Sequence, residues 1–198
     1  WYTNYLAKWC IEYAMEQIKI VQESYPEDHE RIIGKTNLTP SEIEDWAKVA
    51  DNMYFPYSEK HDVFLQQDGF LDKKMVKVQD LEKSERPINQ KWSWDRILRS
   101  PYIKQADVLQ GFYFFEDRFS QEELERHFDF YEPFTVHESS LSPCVHSIQA
   151  AKLGRMEQAY TFYLRTSRLD LDDYNKEVKE GLHITSMAGT WMSIVEGF

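Results

Sequence analysis

An array of antiparallel α-helices is the fold class that this sequence of 198 residues predicts. Three observations carry it. Apolar residues recur at steps of three and four along most of the chain, several helix starts show a cap followed by proline or glutamate, and strand signals are sparse. From Trp1 to about Glu23, the residues Leu6, Trp9, Cys10, Tyr13, Ala14, Ile18 and Val21 fall on one stripe, which predicts a helix with a wide buried face. A loop is expected from Pro26 to Leu38. Thr39, Pro40 and Glu42 form a capping box with proline at the first helical position, opening a helix that carries Ile43, Trp46, Ala47 and Ala50 and ends near Asn52. Residues 53–99 have no sustained period and contain Pro56, Gly69 and Pro87, so a long ordered connection with short helical or extended pieces is expected. Ile103, Ala106, Leu109, Gln110 and Tyr113 predict a helix between Tyr102 and Glu116. Ser120 and Glu123 repeat the capping box before a helix with Leu124, His127 and Phe128 that stops short of Pro133. After a polar stretch at 135–142, Pro143 opens a helix with Val145, Ile148 and Ala151 that ends at Gly154. Met156, Ala159, Tyr160 and Leu164 continue in another, to about Leu169, where Asp170, Asp172 and Asp173 break it. A last helix starts within EGLHITSMAGTW, residues 180–191.

Composition narrows the function. A net charge of −11 argues against nucleic acid, whose phosphate backbone needs a face rich in Lys and Arg, but leaves room for a local anion site. Aromatic residues make up 15% of the chain, and Trp92, Trp94, Tyr102, Tyr113 and Tyr174 stand in polar company. Flat apolar faces with polar tips suit sugars, and they suit dense helix packing equally. Cys10 and Cys144 are far apart in apolar segments, so both are expected to be reduced core residues, which fits a cytoplasmic setting. No apolar run has the length of a membrane span, and no membrane partner is expected. Trp1 opens directly into an apolar-periodic segment and Phe198 follows closely on the start of a helical run, so a piece of a longer chain is expected.

Chemistry concentrates in three polar clusters at helix starts or between helices. These are Lys104 with Gln105; His137 with Glu138, Ser139 and Ser140; and His183 with Thr185 and Ser186. Amides at a helix N-terminus carry partial positive charge, worth roughly 0.3–1 kcal/mol per favourable anion contact, and hydroxyls and an imidazole add donors. Lysine and glutamine hold sugar hydroxyls. If successive helices pack as hairpins, alternate connections share one rim and the clusters converge. Each cluster also has an ordinary reading: Thr185 or Ser186 as a helix cap with His183 packed nearby, Lys104 and Gln105 as a solvated pair, His137 and Glu138 as an ion pair ordering a turn. Asp170, Asp172 and Asp173 lack the glycine and terminal glutamate of a calcium loop and are expected to be structural. No histidine pair has zinc spacing, and no metal or cofactor is expected.

Three runs, WSWDRILRSPYIKQADVLQGFYFFED, FDFYEPFTVHESSLSPCVHSIQAAKLG and LRTSRLDLDDYNKEVKEGLHITSMAGTW, resemble the maltose phosphorylases of glycoside hydrolase family 65, and the opening WYTNYLAKW is similar to the segment just after that family's catalytic acid. The resemblance is in order and covers nearly the whole chain. It implies the C-terminal half of an (α/α)6 barrel, with residues 1–198 a fragment of a single catalytic domain. It implies an inverting phosphorolysis of maltose to β-glucose 1-phosphate and glucose, with disaccharide and inorganic phosphate as partners and a homodimer as the usual assembly. By position, Lys104 and Gln105 would contact the transferred glucose, and Ser139, Ser140, His183, Thr185 and Ser186 would line the phosphate site. Glu138 would orient its neighbours or reach a sugar hydroxyl. The general acid would lie before Trp1, so the chain alone is expected to be inactive, dependent on the remainder of the same polypeptide. A disaccharide hydrolase of the same fold, with Glu138 as base, and a helical protein-interaction module are the alternatives.

Overall fold

Proline and acidic residues at helix starts decide more of the N-terminal segment than its loop-like composition does. In the computed structural model, which describes residues 1–198, the chain divides into two compact units, residues 1–56 and 57–198. The first holds three helices, α1 (Tyr2–Ser24), α2 (Pro26–Thr36) and α3 (Pro40–Asp51). Helix α2 replaces the expected loop. Pro26 sits at its first position with Glu27 and Asp28 behind it, Lys35 stands in the last turn, and Asn37 closes it in the left-handed region at φ 55°. In α3 the Thr39 side chain accepts from the Glu42 amide at 3.3 Å, the forward half of the expected capping box.

Helix α1 departs from expectation. None of its side chains is fully buried; Leu6, Tyr13 and Ile20 are exposed, and so is Cys10, which was expected in the core. The reason is geometric. Within its unit α1 packs only on α2 and α3, and two shorter helices cannot enclose a helix of 23 residues. Lys8 Nζ donates to the Ala50 carbonyl at 2.8 Å and Asn4 to that of Tyr54 at 2.8 Å, which ties α1 to the end of α3.

The second unit begins with a short antiparallel hairpin, β1 (Tyr57–Ser58) against β2 (Val63–Phe64). Short helices α4 (Ile88–Lys91) and α5 (Trp94–Leu98) follow, with isolated 3₁₀ turns before them, in line with the expected mixed connection. Then come α6 (Asp107–Phe114), α7 (Gln121–Tyr131), α8 (Ser142–Lys152), α9 (Met156–Ser167) and α10 (Ile184–Met192), the last running into a π turn over Ser193–Gly197. The Ser120–Glu123 capping box forms in both directions. Helix α6 is shorter than its period predicts because Ile103 is drawn into a parallel bridge with Thr135, donating to the Phe134 carbonyl and accepting from the Val136 amide, both at 2.9 Å.

Helix α8 is the core of this unit, buried from Ser142 through Ala150. Its polar side chains remain there because they are hydrogen-bonded: Ser147 donates to the Ala159 carbonyl at 2.9 Å and Gln149 to that of Leu109 at 2.7 Å. Gly154, at φ 72°, turns the chain back so that α9 lies against α8. Helix α10 packs on both through Gly189, where a Cβ would stand 2.7 Å from Cys144 Cβ and 2.9 Å from its Sγ. Gly189→Ala is therefore expected to cost about 1–3 kcal/mol by overpacking. Gly34→Ala in α2, where nothing lies within 4 Å, should instead gain about 0.5–1 kcal/mol from helix propensity. Thermal unfolding midpoints of the two variants moving in the same direction would contradict this packing.

Candidate functional site

Backbone pairing brings the first two polar clusters side by side. The Ile103–Thr135 bridge is parallel, so Lys104 and Gln105 leave it in the same direction as Val136, His137 and Glu138. Lys104 and Gln105 are exposed in the turn before α6, their side chains open to solvent. The 137–140 segment is held far more tightly. Arg165, on α9, donates to the His137 carbonyl from Nε at 3.0 Å and from Nη2 at 2.5 Å. Arg86 donates to the Val136 carbonyl and, through Nε at 2.8 Å, to Glu138 Oε1. Glu138 Oε2 accepts from the Ile88 amide at 2.7 Å. With 5% exposure, Glu138 is thus a buried carboxylate paired on both oxygens. Ser139 is buried and accepts from the Leu141 amide at 3.2 Å, whereas the Ser140 hydroxyl is half-buried and makes no hydrogen bond within the chain.

The third cluster is built on Asp170. Its Oδ2 accepts from the His183 amide at 2.7 Å, and Oδ1 lies 2.6 Å from His183 Nδ1. Burial pushes the Asp170 carboxyl up, but the hydrogen bonds from His183 outweigh it and leave the group below its ordinary value. The imidazole is half-buried, with Nε2 3.6 Å from Glu177 Oε2. His183 itself occupies the cap position of α10, and no side chain caps the helix. Thr185 is exposed in the first turn, while Ser186 is buried and donates its hydroxyl hydrogen to the Thr166 carbonyl at 2.7 Å. Ser186 therefore anchors the helix, and the groups left facing outward at this end are the Thr185 hydroxyl and the first amides of α10.

Arg165 and Thr166 are neighbours in the last turn of α9. One holds the carbonyl of His137 and the other receives the hydroxyl of Ser186, so the second and third clusters are anchored to the same helix end. The first is tied to the second by the Ile103 bridge. Arg86, Arg165 and Asp170 were not singled out by sequence reasoning as parts of a site. Arg86 lies in an aperiodic stretch, and Asp170 precedes its partner His183 by 13 residues, a separation that carries no local pattern. No group of three or more His, Cys, Asp or Glu side chains is arranged to hold a metal ion. No helix is long and apolar enough to cross a membrane.

The profile of the glycosyl hydrolase family 65 central catalytic domain matches residues 1–192. The chain belongs to this family. It is 52% identical over 198 residues to the maltose phosphorylase of Bacillus subtilis (strain 168), covering 100% of this chain and 25% of that protein. It is 42% identical to an alpha,alpha-trehalose phosphorylase of Thermoanaerobacter brockii and 35% identical to a kojibiose phosphorylase of Halothermothrix orenii (strain H 168 / OCM 544 / DSM 9562), again over 100% of this chain and 26% and 25% of theirs. Among solved structures, a putative kojibiose phosphorylase from the human microbiome matches with a TM-score of 0.89 at 40% identity, covering 100% of this chain and 26% of that one. The chain thus spans about a quarter of the length of the curated relatives it matches. Its fold is an all-α fragment of the family 65 (α/α)6 barrel.

Three buried imidazoles underlie this part of the family 65 fold. His127 accepts from the Phe64 amide at 2.8 Å, and burial lowers it from 6.5 to about 4. His137 and His146, with ring centroids 4.5 Å apart, are each lowered to about 3, chiefly by burial. A folded-state value below the unfolded one means that the unfolded chain takes up protons as pH falls below about 6.5. Stability should accordingly be full above that pH and decline toward pH 4, by up to about 1.4 kcal/mol per pH unit for each ring. Denaturant midpoints that stay level between pH 7 and pH 5 would contradict neutral buried rings.

Proposed function

We propose that this chain supplies the phosphate side and part of the glucose site of an inverting disaccharide phosphorylase. The reaction is phosphorolysis of an α-linked glucose disaccharide, with maltose placed first, giving β-glucose 1-phosphate and glucose. An inverting hydrolase needs two carboxylates, an acid for the leaving oxygen and a base for water. Phosphate arrives already as an anion and needs no base. The observation that carries this reading is Glu138, the carboxylate of the central cluster, which is occupied on both oxygens by Arg86 and the Ile88 amide. A carboxylate held in that way is a poor base for water.

In this reading Lys104 and Gln105 meet the transferred glucose, and Ser140, Thr185, His183 and the first amides of α10 receive phosphate. Ser139 and Ser186, whose side chains bond within the chain, set the backbone around that site. Glu138 fixes the segment between them. The general acid comes from the remainder of the polypeptide, so the chain alone is inactive. No cofactor takes part, since inorganic phosphate is a substrate. Higher identity to the maltose phosphorylase than to the trehalose and kojibiose enzymes favours maltose. The two cysteines are unpaired, which suits a reducing cytoplasm, and the full enzyme is a homodimer.

In the full-length enzyme, glucose release from maltose should require inorganic phosphate and exceed release from trehalose or kojibiose. Lys104→Met should lower kcat/KM for the disaccharide by about 10- to 100-fold, the weight of one charged hydrogen bond. Glucose release at an unchanged rate without phosphate would replace phosphorolysis by hydrolysis.

A further inference from the structure

A cavity of about 400 Å³ lies between the 77–86 segment, the end of α7 and the last turns of α9. None of the eight residues assigned above to sugar or phosphate lines it. Its charged lining is Lys77, Arg86 and Arg165 against a single carboxylate, Glu132. Arg86 commits Nε and Nη2 to Glu138 and the Val136 carbonyl, and Arg165 commits the same two nitrogens to the His137 carbonyl. Nη1 of each guanidinium and the ammonium of Lys77 make no hydrogen bond within the chain, and the Arg165 guanidinium also faces the Tyr174 ring at 5.6 Å. Burial, and then repulsion from Arg86, lowers Arg165 from its ordinary value, with the Glu138 carboxylate opposing the shift.

His137 supplies an independent sign of a missing ligand. It lines the cavity, is 8% exposed, and its Nε2 makes no hydrogen bond. The nearest charged oxygen, Glu132 Oε1, stands 3.9 Å away, beyond hydrogen-bond reach. Nδ1 lies 2.9 Å from the Ser142 hydroxyl. When that hydroxyl donates to Nδ1, the proton of the neutral ring sits on Nε2, which then becomes a buried donor at the cavity wall. In that tautomer His137 Nε2, a buried donor, stands with exposed Lys77 and half-buried Arg86 and Arg165, and together they make the donor set of an oxyanion site.

We propose that this cavity binds an oxyanion of the phosphate class, either free phosphate or the phosphoryl group of a small phosphorylated molecule, on Arg86, Arg165, Lys77 and His137 Nε2. The volume exceeds what bare phosphate fills and leaves room for a substituent. Because Arg86 also holds Glu138 and Arg165 also holds the His137 carbonyl, an anion here stiffens the segment that leads into Ser139 and Ser140. The inference goes beyond the phosphorylase reading and does not depend on it.

The test uses crystals of the full-length enzyme soaked with tungstate, whose anomalous signal locates a phosphate-like anion. A peak within hydrogen-bond reach of Arg86 or Arg165 Nη1 is expected. Soaks with inorganic phosphate and with glucose 1-phosphate then separate the sources: displacement by phosphate alone marks the free anion, and displacement with sugar density marks a monoester. Lys77→Met, which removes no bond within the chain, should lower the peak's occupancy about two- to fivefold while leaving any peak at the start of α10 unchanged. No peak in the cavity, a peak that neither phosphate compound displaces, or occupancy insensitive to Lys77→Met would overturn the proposal.

Discussion

The last turn of α9 is the constraint on which the candidate site depends. The carbonyls at a helix C-terminus lack partners within the helix and must find them elsewhere. Here the Thr166 carbonyl takes the hydroxyl of Ser186, while the Arg165 side chain reaches from the same turn to the His137 carbonyl. One helix end thereby sets the start of α10 and the 137–140 segment at once. The 137–140 segment has no regular structure of its own to hold it, and His137 stands at φ 53°, in the left-handed region that few non-glycine residues adopt.

The geometry behind that turn is a core that admits polar groups only when they are paired or neutral. Helix α8 carries Ser142, His146, Ser147 and Gln149 in full burial, and each makes a hydrogen bond to a nearby group. The imidazoles are kept uncharged by the cost of desolvating a cation. Charge is admitted at the edge of this region, where Arg86 and Glu138 meet and Asp170 grips His183. The candidate site is thus a rim of ionic and hydrogen-bonding groups on a neutral, close-packed base, an arrangement that limits the movement of those groups.

Legibility followed range along the chain. The Ser120 capping box, the break at Pro133, the turn at Gly154 and the helix beginning near Met156 all rest on interactions within a few residues, and all are present in the structure. Helix α2 was missed although its signals are local, because Pro26 marks a helix start as readily as a loop. The shortening of α6 was not readable, since it depends on Thr135, a residue 32 positions from Ile103 that no period connects to it. Apolar spacing likewise identified α1 as a helix but not its exposure, since spacing shows which residues share a face and not what lies against it.

By itself the sequence determined the all-α class, most helix boundaries, the three polar clusters and, through its likeness to family 65, the family of the chain. Tertiary structure alone decided which members of those clusters face outward. Ser139 and Ser186 turn their hydroxyls to the backbone, Glu138 is taken up by Arg86 and the Ile88 amide, and Asp170 becomes the partner of His183. The physical reason is that a polar side chain gives the same signal in sequence whether its bond is to the protein or to a ligand. Only the position of its partner, often many residues away, separates the two.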